Sequence, residues 1–213
     1  MDRSLMESGL RDGSEPGLRL IETVAWTGQA IPRLPLHLAR LHRSAARLGW
    51  PCTGAAAALL RAAPETPARL RLTLDPNGTI DVSTAPMPPS LPLWRIGLAA
   101  DRLTSTDPWL TVKSTRRPAY DHARATLPAD LDEVIFLNER DEVCDGTITT
   151  VFFDRGGGLR TPPLTCGLLP GVLRAALNAP EETLPAADLP RVRLWVGNSL
   201  RGLIPAVWAQ GHP

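Results

Sequence analysis

Lysine is almost absent from this chain: Lys113 stands alone in 213 residues, against 22 arginines. Aromatic residues are scarce too, with one tyrosine (Tyr120) and three phenylalanines. The three cysteines, Cys52, Cys144 and Cys166, are odd in number and lack CxxC spacing. That excludes a disulfide frame or a zinc knot and suggests reduced, cytoplasmic thiols. Four scattered histidines form no HExxH, so no metal is expected. Neither sign of charge is in excess: 23 basic residues oppose 22 acidic ones and the two are mixed throughout. No face is therefore basic enough to suggest nucleic acid or an anionic membrane as a partner. No apolar run is long enough to span a bilayer. The opening MDRSLMESGLRDGSEPG has no apolar h-region and does not read as a secretory signal.

What remains has the composition of a soluble globular protein, 43% hydrophobic and 21% charged, with ample length for a core. LRLIETVAWTGQAIP reads as a hairpin about Thr27-Gly28. LPLHLARLHRSAARLG places Leu38, Leu41, Ala45 and Leu48 at helical spacing, with Gly49 set to end the helix. A second helix is predicted over TGAAAALLRAA, and ARLRLTLDPNGTIDVS alternates on both sides of Asn77-Gly78 as a β-hairpin does. TAPMPPSLP, with four prolines in nine residues, is the linker candidate. Beyond it come a strand at WRIGLAA, a helix at PAYDHARATL and a run of short strands from EVIFLN to VFFD. LPGVLRAALNA is a further helix, and RVRLWVGNSLRGLIPAVW supplies a closing strand and turn. The pattern gives an α+β chain with an N-terminal lobe over 1–84, a linker over 85–92 and a C-terminal lobe over 93–213.

The lone lysine raises a chemical question. Arg serves a surface charge or an ion pair at least as well; only an amine that can lose its proton attacks a carbonyl. A lysine joined to pyridoxal phosphate needs further help from the chain. The phosphate needs amides at a helix start, hydroxyls and an Arg, and the pyridine nitrogen needs a carboxylate. Leu169-Pro170-Gly171 opens a helix, Asn198-Ser199 follows a strand, Arg40 borders a buried stripe, and Asp145 interrupts an apolar strand. Each also has an ordinary reading. Lys113 could be a chance survivor of an Arg bias, Arg40 a solvated charge and Pro-Gly a turn. Asp145-Gly146 could likewise be a hairpin turn, with Thr147, Thr149 and Thr150 as plain strand residues.

The order of the pieces narrows the choice. The chain resembles the class IV aminotransferases, the fold-type IV pyridoxal-phosphate family. That family includes branched-chain and D-amino-acid aminotransferases and 4-amino-4-deoxychorismate lyase. LIETVAWTGQAIPRLPLHLARLHRSAARLG resembles its FET segment and H-x-x-R-L helix. VCDGTITTVFF resembles its V-x-E-G-T-x-x-N-x-F strand, and LRTPPLTCGLLPGVLR its T-P-P-L-x-x-G-L-L-P-G-x-x-R signature. VGNSLRGLIPA resembles the lyase branch's N-S-x-x-G-x-x-P ending.

This resemblance implies a two-lobed, D-amino-acid aminotransferase-like fold whose C-terminal lobe carries the lysine and most cofactor contacts. Lys113 becomes the Schiff-base lysine and proton carrier. Arg40, the backbone amides of Val172 and Leu173, and Asn198-Ser199 become the phosphate's ligands. Asp145 stands where the family has Glu, facing the pyridine nitrogen. The resemblance also implies a homodimer acting on a small amine or amino-acid substrate. The ending and the short chain favour a lyase that releases pyruvate and 4-aminobenzoate for folate synthesis, with Arg117 and Arg201 as partners for substrate carboxylates. The alternatives are a branched-chain or D-amino-acid aminotransferase and a non-catalytic relative. Three departures stand out: Asp145 is one methylene shorter than Glu, Thr150 replaces an Asn, and the first lobe is trimmed. Tyr120, seven residues past Lys113, is expected to be a packed ring at a helix start, with no cofactor role transferred to it.

Overall fold

The computed structural model describes residues 15–209, and residues 1–14 of the opening stretch read for a targeting signal lie outside them. The chain divides into two compact units. One reaches to Pro89 and also takes Thr111–Arg116; the other holds Ser90–Leu110 and the chain from Arg117 onward.

In the first unit, β1 (Leu20–Trp26), β2 (Ala68–Leu74) and β3 (Ile80–Pro86) form an antiparallel sheet in that order. β2 and β3 are the hairpin expected about Asn77-Gly78, with Leu74 paired to Ile80. Asp75 closes the turn by accepting from the amides of Asn77 and Thr79. The hairpin expected around Thr27-Gly28 does not form. β1 instead pairs along its length with β2, from Leu20 against Leu74 to Trp26 against Ala68. The turn closes on itself, with Thr27 N donating to Ala30 O at 3.0 Å. Pro32 and Pro35 then follow; neither can donate to a sheet ladder, and Pro35 sits in the first turn of helix α1 (Leu34–Leu48).

Gly49 ends α1 with φ 71°, a left-handed conformation that glycine takes without a Cβ penalty. The helix buries His37, Arg40, Leu41, Ser44 and Ala45. This is a true i, i+3, i+4, i+7, i+8 stripe, rotated from the expected one so that its centre is polar. Helix α2 (Ala55–Arg61) completes the unit, burying Ala55 and Leu59.

The second unit is a closed six-stranded barrel, ordered β4 (Trp94–Leu103), β5 (Glu133–Asn138), β6 (Val143–Gly146), β7 (Thr150–Asp154), β8 (Arg193–Asn198), β9 (Gly202–Trp208). β4 runs parallel to both β5 and β9, and the other pairs are antiparallel. Helices α3 (Pro118–Ala125) and α4 (Val172–Leu177) belong to this unit. Every residue of β5 is buried, because its alternate side chains enter two cores. Ile135 and Leu137 pack with Val143, Val151, Phe153 and Val196. Val134 and Phe136 pack with Ala123, Cys144 and Leu168, against which Tyr120 leans.

All three cysteines are free, and among the described residues no cluster of His, Cys, Asp and Glu is arranged to hold a metal ion. No described helix is long and apolar enough to cross a membrane.

Candidate active site

Lys113 belongs to the first unit, not to the C-terminal lobe to which the sequence assigns it. The reason is backbone pairing. Ile21 N donates to Lys113 O at 2.8 Å and Thr115 N to Arg19 O at 2.9 Å, and Ser114 bridges Leu20. The segment thus runs beside the start of β1 as a short strand. Val112 and Ser114 are buried while Lys113, between them, is half-buried, the alternation a strand imposes.

The same unit holds Arg40, buried to 6% exposure rather than bordering the stripe. Its partner is Glu22, which shares a face of β1 with Leu20 and Val24 and is 2% exposed. Arg40 Nε donates to Glu22 Oε1 at 2.8 Å and Nη2 to Oε2 at 2.7 Å, while His37 Nδ1 lies 2.7 Å from Oε2. Burial pushes the Glu22 carboxyl up, but the Arg40 charge and the hydrogen bonds from His37 and Arg40 reverse this and leave it below its ordinary value. Buried charge this well paired fixes the guanidinium in one orientation.

In the second unit, Asp145 sits at a break in the β5–β6 register. Ile135 pairs with Gly146 and Leu137 with Val143, so Cys144 and Asp145 together face the single residue Phe136. That is a β-bulge, which reverses the alternation and re-aims a side chain. Asp145 is 4% exposed, with Oδ1 accepting from Tyr120 Oη at 3.0 Å and Oδ2 from Leu169 N at 3.1 Å. Among the described residues none of the ion pairs involves it. Burial pushes its carboxyl up to about 7; the two hydrogen bonds and Arg117 pull against this, and Glu133 adds to the rise.

Asp145-Gly146 is therefore the end of a strand and not a turn. The turn is Thr147–Thr149, closed by Gly146 N donating to Thr149 O at 2.8 Å. A buried carboxylate that the sequence reading overlooked, Glu133, holds this turn. It accepts from Thr147 Oγ1 at 2.5 Å, Thr149 Oγ1 at 3.0 Å and Ile148 N at 3.2 Å. Thr147 and Thr149 are thus anchors rather than plain strand residues. A Cβ on Gly146 would lie 2.4 Å from Thr149 Oγ1 and 2.9 Å from the Glu133 carboxyl, so glycine is required there.

The other candidates surround this turn. Asn198 Nδ2 donates to Ile148 O at 3.1 Å, and its Oδ1 accepts from Leu200 N and Arg201 N, so it braces two turns at once. Ser199 beside it is buried. Val172 and Leu173 form the first turn of α4, where helical N–H groups lack intrahelical acceptors. Its cap, Gly171, is pressed on Thr150, since a Cβ there would come within 2.5 Å of Thr150 Oγ1. Arg117 donates through Nη2 to Thr147 O at 2.6 Å and pairs with Asp121. The Arg201 guanidinium lies 5.5 Å from the Trp94 ring centroid. The structure thus brings Asp145, Arg117, Asn198 and the start of α4 around one turn of the barrel unit, and Lys113, Arg40 and Glu22 into the other unit.

A family model described as amino-transferase class IV matches residues 19–207. The chain belongs to the class IV aminotransferase family. Members of this family are pyridoxal-phosphate-dependent enzymes, and the fold is theirs. A protein of Schizosaccharomyces pombe, provisionally named aminodeoxychorismate lyase, is 32% identical over 168 residues, covering 74% of this chain and 72% of its own. A crystal structure from Mesorhizobium loti, provisionally named an amino-acid aminotransferase, superposes with TM-score 0.86 at 45% identity. The match covers 90% of this chain and all of that one. The 4-amino-4-deoxychorismate lyase of Pseudomonas aeruginosa shares the fold, with TM-score 0.77 and 23% identity over 91% of this chain and 84% of its own.

The donor set fits the family's cofactor. A desolvated carboxyl outside every ion pair of the described residues, raised to about 7, gains most from a cation placed against it, and a protonated pyridine nitrogen is one. A rigidly held guanidinium suits a phosphate.

Proposed function

We propose that this class IV aminotransferase family member is a pyridoxal-phosphate enzyme with 4-amino-4-deoxychorismate lyase-like activity, releasing pyruvate and 4-aminobenzoate. The observation that carries the cofactor assignment is Asp145, a buried carboxyl held on both oxygens and outside every ion pair of the described residues. Bound pyridoxal phosphate supplies an electron sink for charge developing on the substrate carbon. Lys113 would hold the cofactor through its amine, and its Nζ would take and return the substrate's proton. Arg40, oriented by Glu22, binds the phosphate together with the amides of Val172 and Leu173 and with Ser199, which Asn198 positions. Asp145 keeps the ring nitrogen protonated. Arg117 and Arg201 are assigned to substrate carboxylates, and the working unit is a homodimer in the cytoplasm.

Lyase is preferred for the S. pombe relative and for the NSLRGLIPA ending. A second reading, an amino-acid aminotransferase, is favoured by the 45% identical M. loti structure. One assay separates them. The purified protein with pyridoxal phosphate and 4-amino-4-deoxychorismate should release pyruvate with no keto acid added. Turnover that requires a keto-acid acceptor would replace the lyase with the aminotransferase.

A further inference from the structure

Tyr120 is the chain's only tyrosine, and its hydroxyl donates to the acid of the proposed site. Its ring stacks on Phe136 with centroids 4.8 Å apart and planes at 59°. Phe136 is the residue that the Cys144–Asp145 bulge faces across the β5–β6 pair. Helix α3 therefore lays the ring against the bulge and delivers the hydroxyl to Asp145 Oδ1, while Leu169 N holds Oδ2 from the opposite side in sequence. Stacking alone would be met by phenylalanine; only the hydroxyl reaches the acid. Phenols withdrawn from water take a hydrogen-bond partner, and this part-buried one has taken the carboxylate.

We infer that Tyr120 is the positioning residue for Asp145, fixing the orientation of the shortened acid so that Asp145 and Tyr120 together serve where the family uses one Glu. This rests on the reading of Asp145 as the acid that faces the cofactor ring. A bulge leaves a short side chain free to turn, and the hydroxyl with the Leu169 amide removes that freedom. Burial holds the Tyr120 hydroxyl well above its ordinary value, with the Asp145 charge adding to the rise, so it remains a donor throughout the working range. The other groups facing the pair are Arg117, whose guanidinium carbon is 5.2 Å from the Tyr120 ring centroid, and Glu133 and Cys144.

The test is Tyr120→Phe in the full chain, with two readouts. The first needs no cofactor: the Asp145 carboxyl is titrated by 13C NMR on aspartate-labelled protein, its signal assigned by its loss in Asp145→Asn. Removing a donor to the charged form should raise the Asp145 titration by about one pH unit. The second is the dissociation constant of pyridoxal phosphate. Tyr120→Phe should weaken binding about tenfold at pH 7, and more on acidification. In the Asp145→Asn background the same change should alter binding less than about twofold, because a residue acting through Asp145 has nothing left to act on. An unmoved titration, or an equal loss in both backgrounds, would overturn the assignment in favour of packing alone. If the titration moves while wild-type protein takes up no pyridoxal phosphate, Tyr120 still positions Asp145 but the cofactor reading, and with it the shared role, falls. If it stays fixed while wild-type protein binds, the cofactor reading stands and the assignment falls.

Discussion

Replacing Glu22 with Gln removes one negative charge from a buried ion pair of the first unit. The Glu22 and Arg40 side chains are 3% and 7% exposed, so solvent cannot take over the guanidinium. Two hydrogen bonds from Arg40, at 2.8 and 2.7 Å, lose their charged acceptor, as does the contact with His37 at 2.7 Å. Breaking a buried pair by removing one of its two charges costs about 3–5 kcal/mol. For a chain of this size that lowers the melting temperature by roughly 10 °C.

The test is denaturation followed by far-UV circular dichroism on Glu22→Gln, Arg40→Leu and Glu22→Leu/Arg40→Leu. The double variant should be more stable than Arg40→Leu alone, since the Glu22 carboxyl is then no longer buried without the guanidinium. The stabilisation also has a pH signature. The folded Glu22 carboxyl lies below its ordinary value of 4.5, so the contribution is complete above that pH. It is lost as the pH falls through the lower folded value. A Glu22→Gln protein within about 1 kcal/mol of wild type at pH 7 would refute the claim that this pair organises the unit.

Two more outcomes follow from the barrel unit. With no cofactor added, Asp145→Asn should be more stable than wild type at pH 8, by up to about 4 kcal/mol for a carboxyl raised from 3.8 to about 7. The sign follows from the raised value: the cost of the ionised acid is full above 7 and vanishes below 3.8, so the two denaturation curves should converge on acidification. Gly146→Ala should lose about 1–3 kcal/mol of stability in urea titration, because its Cβ would displace Thr149 Oγ1 and the Glu133 carboxyl. A neutral Gly146→Ala would mean that the Thr147–Thr149 turn is not held as described.

The sequence disclosed what local pattern controls. The alternation on both sides of Asn77-Gly78 gave the β2–β3 hairpin, and the spacing from Leu38 with Gly49 at its end gave α1. It misjudged what distant chain decides. β1 looked like half of a local hairpin because Thr27-Gly28 is a turn, but its partner lies some forty residues on, at Ala68–Leu74. Lys113 followed the linker in sequence, but backbone pairing with β1 draws it into the first unit.

Site chemistry divided in the same way. Single residues such as Lys113, Arg40 and Asp145 stood out by type and order, while their supports did not. Glu22 and Glu133 each sit in an apolar strand, a signal of an acid with a buried partner, yet only the fold shows the partners as Arg40 and the Thr147–Thr149 turn. The bulge that aims Asp145 has no sequence mark beyond an Asp-Gly step, which reads as a turn. Tyr120 reads as a packed ring, and it is one; its hydrogen bond spans 25 residues.

The central claim, that Lys113 carries the cofactor, admits an unusually clean measurement because no second lysine competes. Purified protein is mixed with pyridoxal phosphate, reduced with borohydride and digested with trypsin for mass spectrometry, beside Lys113→Ala. The account predicts one pyridoxyl group per chain, on the peptide that contains Lys113, and none on the variant. Wild-type protein that gains no mass, or gains it only at its terminal amine, would contradict the account.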